Sequence, residues 1–289
     1  MSKANILNGK ELSISILEQL KPRAAAISKL NNGNPPGLAT VLVGEDPASH
    51  IYVRNKRRAC ENVGLSNFHY ELEENTGQKK LLELINTLNC NIEVDGILVQ
   101  LPLPKGFDYD ENEVLAAIAP TKDADGFHPQ NQGALMQGTE APVPCTPKGV
   151  MRLLGESEMQ GSGKHAVVVG RSNIVGKPVA MLLLAQNFTV TICHSRTADL
   201  AFEVSRADVV VAAVGAAKLI KGEWLKQGAV VLDVGINRAE DGKLVGDVDF
   251  DSACERASHI TPVPGGVGPM TIAMLLSNTV EAAEQRLGI

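Results

Sequence analysis

The fold is decided by a strand-turn-helix segment at residues 166–178, which reads AVVVGRSNIVGKP. Its first residues form an apolar, β-branched run, which is typical of a strand covered on both faces. Gly170 ends this strand, and Gly176 begins a helix that we predict to continue to Gln186. Glycines at these positions let backbone N–H groups approach a pyrophosphate, to which the helix N-terminus adds about half a positive charge. The spacing differs from the usual GxGxxG, so the alternative is a glycine-rich turn without a ligand.

The same alternation of strands and helices extends in both directions from this segment. Downstream, we predict a strand at residues 188–193, a helix at 198–206 and strands at 208–214 and 229–234. Upstream, we predict strands at 37–43, 67–72 and 94–101, and helices that end at Val63 or span 78–89 and 111–119. This rhythm indicates parallel sheets with right-handed crossovers. We therefore predict two α/β domains with a cleft between them, the C-terminal one a Rossmann-like doubly wound parallel sheet.

A domain boundary is predicted where prolines accumulate. Pro142, Pro144 and Pro147 lie close together and discourage regular structure. The predicted domains are residues 1–140 and 141–268, and the second contains the glycine-rich segment. The last helix, at about residues 269–289, can pack on the first domain as well as on the second.

The composition excludes several classes of function. Of the 289 residues, 44% are hydrophobic and 21% are charged, and the net charge is −6. This balance is typical of a globular protein and unfavourable for binding nucleic acid or an anionic membrane surface. The longest apolar stretch, residues 209–217, is about half of what a membrane span requires. We expect no nucleic-acid partner and no membrane partner.

Histidine and cysteine usage points to a cytoplasmic protein without a metal. The five cysteines are scattered, lack CxxC spacing and indicate a reducing compartment. The N-terminus lacks the apolar block and cleavage site of a signal peptide, so we do not expect export. His128, His194 and His259 have no ligand spacing, and we predict no metal site.

The end of the strand at 188–193 bears on the choice of dinucleotide. An NAD-preferring fold usually has an acidic residue there, whereas this chain has His194, Ser195, Arg196 and Thr197. Arginine matches the geometry of a 2′-phosphate, so we predict NADP; the alternative is that the arginines only face solvent. Gly215 and Ile236 follow later strands, at the edge where an open sheet binds ligands. The predicted cofactor-binding residues are Gly170, Arg171, Ser172, Ser195, Arg196, Gly215 and Ile236.

The helix that ends at Val63 carries a lysine on its apolar stripe. At about 100° per residue, Tyr52, Lys56, Ala59 and Val63 share one face. A lysine there must extend to solvent, pair with a carboxylate or lose its charge. Loss of charge would make Lys56 a usable base near neutral pH, with Tyr52 one turn away to orient it. The helix alone supports the reactive lysine and the solvent-directed lysine about equally.

Further polar residues favour the reactive lysine. Gln100 follows a buried strand, and its neutral amide can contact a lysine without fixing the charge of the amine. Asp123 and Asp125 precede Gly126 in a tight acidic turn, for which local capping is the alternative interpretation. Residues 261–271, TPVPGGVGPMT, form either a helix start that receives a ligand group or a rigid linker.

Six motifs in chain order resemble the bifunctional methylenetetrahydrofolate dehydrogenase/cyclohydrolase (FolD) family over essentially the whole chain. They are YVRNK at 52–56, VQLPLP at 99–104, KDADGFHP at 122–129, PCTPKG at 144–149, VVVGRSNIVGKP at 167–178 and PVPGGVGPMT at 262–271.

The resemblance implies two reactions in one cleft. 5,10-Methylene-tetrahydrofolate is oxidised by NADP⁺ to the methenyl cation, which water opens to 10-formyl-tetrahydrofolate. Residues 1–140 would then be the folate-binding catalytic domain, and residues 141–268 would bind NADP. Lys56 would be the central catalytic residue, assisted by Tyr52 and Gln100, and Asp125 would anchor the pterin. The implied substrate-binding residues are Tyr52, Lys56, Val99, Gln100, Leu101, Asp125, Pro264, Gly265, Gly266, Val267 and Gly268.

The resemblance also implies a role in one-carbon metabolism and purine biosynthesis, and a homodimer formed through the nucleotide domain, where residues 243–249 could pair at a sheet edge. Three alternatives stay open at this point. They are a shikimate-dehydrogenase-like NADP enzyme, a non-catalytic cofactor-binding protein and a monofunctional dehydrogenase.

Overall fold

A computed structural model of the chain describes residues 4–239 and 241–289. The chain divides into two compact units, which we name by their sheets. The six-stranded unit comprises the described residues up to Ser13, Leu135–Gly138 and Thr146–Thr271. The three-stranded unit comprises Ile14–Ala134, Thr139–Cys145 and Ile272–Ile289. The proline-rich segment thus changes unit more than once, where the sequence predicted one boundary near residue 140.

The strands within the described residues are β1 (Asn5–Ile6), β2 (Gly37–Val43), β3 (Ser66–Leu72), β4 (Gly96–Val99), β5 (His165–Val169), β6 (Thr189–Cys193), β7 (Val209–Ala212), β8 (Val230–Asp233), β9 (Asn237–Arg238), β10 (Leu244–Val245) and β11 (His259–Ile260). The helices are α1 (Gly9–Leu30), α2 (Pro47–Val63), α3 (Gln78–Cys90), α4 (Glu111–Ala116), α5 (Pro129–Gln137), α6 (Cys145–Gly155), α7 (Gly176–Ala185), α8 (Leu200–Ser205), α9 (Phe250–Ala253) and α10 (Val267–Leu287). Short 3₁₀ turns lie at Pro120–Lys122 and Gly222–Trp224.

The six-stranded sheet is parallel throughout, in the order β1-β11-β8-β7-β5-β6. Its central strands β5, β7 and β8 are buried apart from His165 at the start of β5, as their valine-rich sequences predict for strands covered on both faces. β5 lies between β6 and β7, so the strand order reverses there, and the carboxyl ends of β5 and β7 form a topological switch point. This sheet confirms the predicted doubly wound α/β fold.

The three-stranded sheet is also parallel, in the order β3-β2-β4. All residues of the central strand β2 are buried, and α3 covers the sheet with Leu81, Ile85 and Leu88. Because β2 has neighbours on both sides, the carboxyl ends of β2 and β4 form a second switch point. Side chains that follow these strands are therefore placed at one edge of the sheet.

The last helix packs within the three-stranded unit from residue 272 onward. The Arg286 guanidinium donates to Asp95 (2.7 Å), and the Asn278 amide donates to the carbonyl of Ala124 (2.9 Å). Within the segment 243–249, β10 pairs with β9 in antiparallel fashion, and the pairing of this segment between two copies stays a prediction. No described helix is long and apolar enough to cross a membrane. Among the described residues, no group of three or more His, Cys, Asp or Glu side chains is arranged to hold a metal ion.

Candidate active site

Helix α2 presents Lys56 to the interior of the three-stranded unit. Asp46 caps the helix by accepting the N–H of Ser49 (2.8 Å), and Gly64, in the left-handed region, ends it. Among the described side chains of α2, the buried ones are Ser49, Val53, Lys56, Cys60 and Val63, which recur at the three- and four-residue spacing of one helix face. The predicted face, which began with Tyr52 and included Ala59, was therefore rotated by about one position.

Lys56 is only 7% exposed, so it does not extend into bulk solvent. Its amine donates a hydrogen bond to the Oε1 of Gln100 (3.0 Å). The amide of Gln100 is in turn fixed, because its Nε2 donates to the Leu101 carbonyl (2.7 Å) and its backbone N–H donates to Val41 (2.8 Å). The predicted pairing of Lys56 with a neutral amide at the strand end is present in this geometry.

The positive charge of the Lys56 amine acts on the carboxyl of Asp125. Although part of the residue is accessible, its carboxyl lies deep in the protein, and burial raises its pKa to about 6. The Asp123 carboxylate raises the pKa further, whereas the positive charge of Lys56 and a hydrogen bond from the Cys145 thiol lower it. Asp125 is consequently ionised at neutral pH but protonates within an accessible acidic range.

Asp123 has a different role from Asp125. Its carboxylate accepts the N–H groups of Gly126 (3.0 Å) and His128 (2.7 Å) and the side-chain amide of Asn131 (2.9 Å). This is the local capping that the sequence offered as an alternative. Asp123 shapes the turn from which Asp125 is presented.

The structure does not bring the remaining predicted folate residues into one hydrogen-bonded group. Tyr52 is 46% exposed, and its hydroxyl has no hydrogen-bond partner among the described residues. Val99 is buried in the core, and Leu101 is half-buried. Their roles, including the orienting role of Tyr52, stay predictions.

The loop with the predicted residues Pro264–Gly268 belongs to the six-stranded unit. Gly265 is in the left-handed region, and its carbonyl accepts the N–H of Lys10 (3.0 Å). A Cβ on Gly266 would collide with Pro262, so both glycines are needed for this turn. The contribution of residues 264–268 to folate binding stays a prediction.

At the carboxyl end of β5, two glycines permit a close approach of the backbone. A Cβ on Gly170 would overlap the carbonyl of Ala213, and one on Gly176 would overlap the carbonyl of Gly170. The Oγ of Ser172 accepts the N–H groups of Val175 (3.1 Å) and Gly176 (3.3 Å). These two amides are therefore already bonded, and a phosphate at this turn would meet the exposed residues 171–174 rather than the amides of the first helical turn.

A polar turn follows the end of β6. His194 starts a tight turn in which its N–H donates to Thr197 Oγ1 (2.9 Å). Arg171, Ser195 and Arg196 are exposed, and neither arginine forms an ion pair with another described residue. Their guanidinium groups are available to a phosphate ester.

Sequence reasoning missed two buried aspartates beside this edge. Asp247 accepts the N–H groups of Val214, Gly215 and Ala216, and Asp233 accepts those of Gly235, Asp247 and Val248. Burial raises the pKa of Asp233 to about 6. The available signal was a charged residue closing the apolar run at residues 230–233, VVLD.

Comparison with known proteins identifies both parts of the chain. Residues 7–125 match the family model "Tetrahydrofolate dehydrogenase/cyclohydrolase, catalytic domain", and residues 144–287 match the NAD(P)-binding domain of the same family. The bifunctional protein FolD of Magnetococcus marinus is 61% identical over 98% of both chains, and that of Acetivibrio thermocellus is 59% identical over 98% of both.

Solved structures agree with these matches. The bifunctional FolD enzyme of Campylobacter jejuni has a TM-score of 0.94 and 49% identity, covering 98% of this chain and 99% of the other. The Trypanosoma brucei enzyme, solved with NADP cofactor and an inhibitor, has a TM-score of 0.93 and 41% identity over the full length of both. Shikimate 5-dehydrogenase of Thermus thermophilus, with a TM-score of 0.52 and 15% identity over 86% of this chain and 99% of the other, shares the fold alone.

These findings confirm the resemblance seen in the sequence and the prediction of an enzyme with dehydrogenase and cyclohydrolase activities. The predicted nicotinamide dinucleotide cofactor is confirmed by the NAD(P)-binding model. The shikimate-dehydrogenase-like alternative finds no support beyond the fold. The chain therefore belongs to the bifunctional tetrahydrofolate dehydrogenase/cyclohydrolase family.

Proposed function

We propose that this protein oxidises 5,10-methylene-tetrahydrofolate with NADP⁺ and hydrolyses the resulting 5,10-methenyl-tetrahydrofolate to 10-formyl-tetrahydrofolate. The observation that carries this proposal is the buried amine of Lys56 held by the neutral amide of Gln100 at the carboxyl edge of a parallel sheet. Folate chemistry is assigned to the three-stranded unit, and NADP binding to the six-stranded unit.

Lys56 moves the proton in the hydrolytic step. A water molecule attacks the methenyl carbon of the cation, a C–O bond forms, and the uncharged form of the amine takes one proton from the attacking oxygen. The bond between that carbon and N5 then breaks, N5 keeps the electron pair and receives this proton from the amine, and the remaining hydroxyl proton leaves to solvent as the formyl C=O forms. Gln100 orients the amine for both transfers. Its amide is neutral, so it does not form the salt bridge with the amine that a carboxylate would form. Proton transfer by a positioned side chain contributes about 10²- to 10⁴-fold in rate.

Asp125 binds the pterin ring. A carboxylate accepts two neighbouring N–H groups in a bidentate manner, and the pterin presents such a pair. The pKa of about 6, raised by burial, leaves this carboxylate ionised at neutral pH. The backbone next to Asp125 is held in place, because the Ala124 carbonyl accepts the Cys145 thiol (3.2 Å) and the Asn278 amide (2.9 Å).

The residues at the edge of the six-stranded sheet fit NADP. The turn between Gly170 and Gly176 is tight, because a Cβ on either glycine would overlap the protein's own backbone, and its residues 171–174 are exposed to a pyrophosphate. Arg171, Ser195 and Arg196 replace the acidic residue that would repel a 2′-phosphate. When bound, NADP⁺ accepts the hydride of the folate. Gly215 and Ile236 would hold the other end of the dinucleotide.

We also infer the setting of the enzyme. It acts in the cytoplasm, where the described cysteines remain free thiols, and supplies one-carbon units for purine biosynthesis. It forms a homodimer through the six-stranded unit, whose edge strand β6 has no further neighbour among the described strands and exposes Ile192. Light scattering coupled to size exclusion tests the dimer.

The central test is a spectrophotometric assay with 5,10-methylene-tetrahydrofolate that compares NADP⁺ with NAD⁺. We expect formation of methenyl-tetrahydrofolate with NADP⁺, at least about tenfold lower kcat/KM with NAD⁺, and enzyme-dependent decay of added methenyl-tetrahydrofolate. Absence of methenyl formation contradicts the dehydrogenase assignment. Decay no faster than in buffer contradicts the cyclohydrolase assignment.

A further inference from the structure

Asp247 holds the loop that follows β7. Its Oδ2 accepts the N–H groups of Val214 (2.7 Å) and Gly215 (3.0 Å), and its Oδ1 accepts that of Ala216 (2.9 Å). The Asn237 side-chain amide donates to the same Oδ1 (2.8 Å). The carboxylate is completely buried, so these bonds form away from competing water. Four donors on one buried carboxylate define the conformation of residues 214–216.

Asp233 anchors Asp247 itself. The Asp233 carboxylate, at the end of β8, accepts the backbone N–H groups of Asp247 (2.9 Å), Val248 (2.9 Å) and Gly235 (3.0 Å). Two successive carboxylates thus connect the end of β8, the segment after β10 and the loop after β7.

The sequence makes room for this pair at two glycines. A Cβ on Gly235 would overlap the Asp247 carboxylate, and a Cβ on Gly246 would overlap the Asp233 carboxylate. A core built for stability alone gains little from two buried acids, because burying charge costs free energy unless every oxygen is hydrogen-bonded. The arrangement accordingly points to a requirement on the loop that it holds.

That requirement follows from where the loop lies. Residues 214–216 follow β7, whose carboxyl end forms the switch point with β5, where a doubly wound sheet binds its ligand. The three N–H groups are all directed to Asp247, so they are not offered to a ligand. Among the described residues, the open acceptors of this loop are the carbonyls of Val214 and Gly215, because that of Ala216 accepts the N–H of Leu219 (3.3 Å). Such a surface suits the part of a dinucleotide that carries N–H donors and disfavours a phosphate.

We propose that Asp247 is a positioning residue for the dinucleotide, which fixes the loop 214–216 so that it receives the amide-bearing end of NADP⁺. The proposal rests on the proposed function, because it takes Gly215 as a cofactor contact. Asp247 acts through the loop and touches neither substrate.

The test is Asp247→Asn in the full-length protein, with Asp251→Asn, an exposed aspartate of the same unit, as the charge-matched control. The asparagine side chain has one acceptor oxygen and no negative charge, so it cannot bind all four donors, and the loop relaxes. We expect the Kd and KM for NADP⁺ to rise about tenfold or more, and kcat at saturating NADP⁺ to stay within about threefold of wild type. Cyclohydrolase activity on added methenyl-tetrahydrofolate, without NADP⁺, should stay within about twofold, because it uses the other unit.

Direct binding of NADP⁺ by calorimetry, without folate, separates this proposal from the proposed function. An unchanged Kd in Asp247→Asn, or an equal loss of both activities, overturns the positioning role. If Asp247→Asn does not yield folded protein, Asn237→Ala decides, since it removes one donor and leaves the carboxylate. A rise of about two- to fivefold in the NADP⁺ Kd with intact cyclohydrolase supports the proposal, and an unchanged Kd overturns it.

Discussion

The sites that we propose at the edges of the two sheets rely on different groups. At the edge of the three-stranded sheet the proposed reactive groups are side chains, above all Lys56, Gln100 and Asp125. At the edge of the six-stranded sheet, glycines and Asp247, which accepts backbone amides, shape a backbone surface, and the side chains of the proposed NADP site are exposed beside it. The activity of a side-chain site depends on individual functional groups, whereas ligand binding by a backbone surface depends on the conformation of the loop. The hydrolytic and the hydride-transfer activities should therefore be separable by mutation.

The largest effect is expected at Lys56. Lys56→Ala removes the amine, and Lys56→Arg keeps the charge but cannot give up its proton at any relevant pH. We expect both variants to lose cyclohydrolase activity by about 10²- to 10⁴-fold, measured as the decay of methenyl-tetrahydrofolate. Arg58→Ala, an exposed residue of the same helix, is the control and should retain activity.

Hydrolysis of methenyl-tetrahydrofolate by Lys56→Arg at the wild-type rate would contradict proton transfer by Lys56, since the amine would then act only as a positive charge. A measurement of NADP⁺ binding in the same variant sharpens the result. We expect an unchanged Kd, because no NADP contact is assigned to the three-stranded unit.

The next largest effect is expected at Gly170, at the proposed NADP site of the six-stranded unit. Gly170→Ala places a methyl group against the Ala213 carbonyl and forces the turn to move. A displacement of about 1 Å at a reacting centre can lower the rate about 100-fold, and we expect dehydrogenase activity to fall by that order. Gly155→Ala is the matched control, because a Cβ there meets open space. Loss of cyclohydrolase activity in Gly170→Ala would show that the two sites are not independent.

Local pattern was sufficient to predict most elements of both sheets. β2 was predicted at its observed bounds because its apolar run ends at a glycine, and α2 because Asp46 and Pro47 mark its start. Pro147 misled the prediction, since in the first turn of α6 a proline has no hydrogen bond to lose. β1 was missed because a two-residue strand exists only through its pairing with the distant β11.

The residues at the edge of the three-stranded sheet were easier to predict than those at the edge of the six-stranded sheet, because local sequence reveals the former and not the latter. Lys56 and Gln100 each stand out as polar residues within apolar segments, so a single window of sequence reveals them. Asp247 bonds to amides more than thirty residues away, and no local pattern connects it with the loop after β7. Only the strand order of the sheet brings these residues together.

A moderate effect on cofactor choice is expected from Arg171 and Arg196. Each guanidinium is exposed without an ion-pair partner among the described residues, and a charge-assisted hydrogen bond contributes about 1.5–3 kcal/mol. Arg171→Ala and Arg196→Ala should each raise the KM for NADP⁺ about tenfold and leave that for NAD⁺ unchanged. Arg206→Ala, another exposed arginine of this unit, serves as the control. An equal rise for both dinucleotides would assign these arginines to the pyrophosphate.

A further effect is a dependence of stability on pH that originates at Asp125. Burial raises the pKa of its carboxyl from the ordinary 3.8 to about 6, so the folded state binds the proton more tightly than the unfolded chain does. The corresponding stabilisation is fully present below about pH 4 and is lost as the pH rises through about 6. Relative to Asp125→Asn, which does not titrate, the wild type should lose on the order of 1–3 kcal/mol of unfolding free energy between these values.

Urea unfolding of both proteins at several pH values between 4 and 7.5 measures this difference, with Asp108→Asn, an exposed aspartate of the same unit, as the control. The same protonation removes an acceptor for the pterin, so the KM for folate should rise as the pH falls below about 6 in the wild type. Asp125→Asn should show a high KM that does not vary with pH. If the unfolding free energies of wild type and Asp125→Asn run parallel across this range, the carboxyl is solvated, and the contrast between a buried side-chain site and a backbone site loses its electrostatic basis.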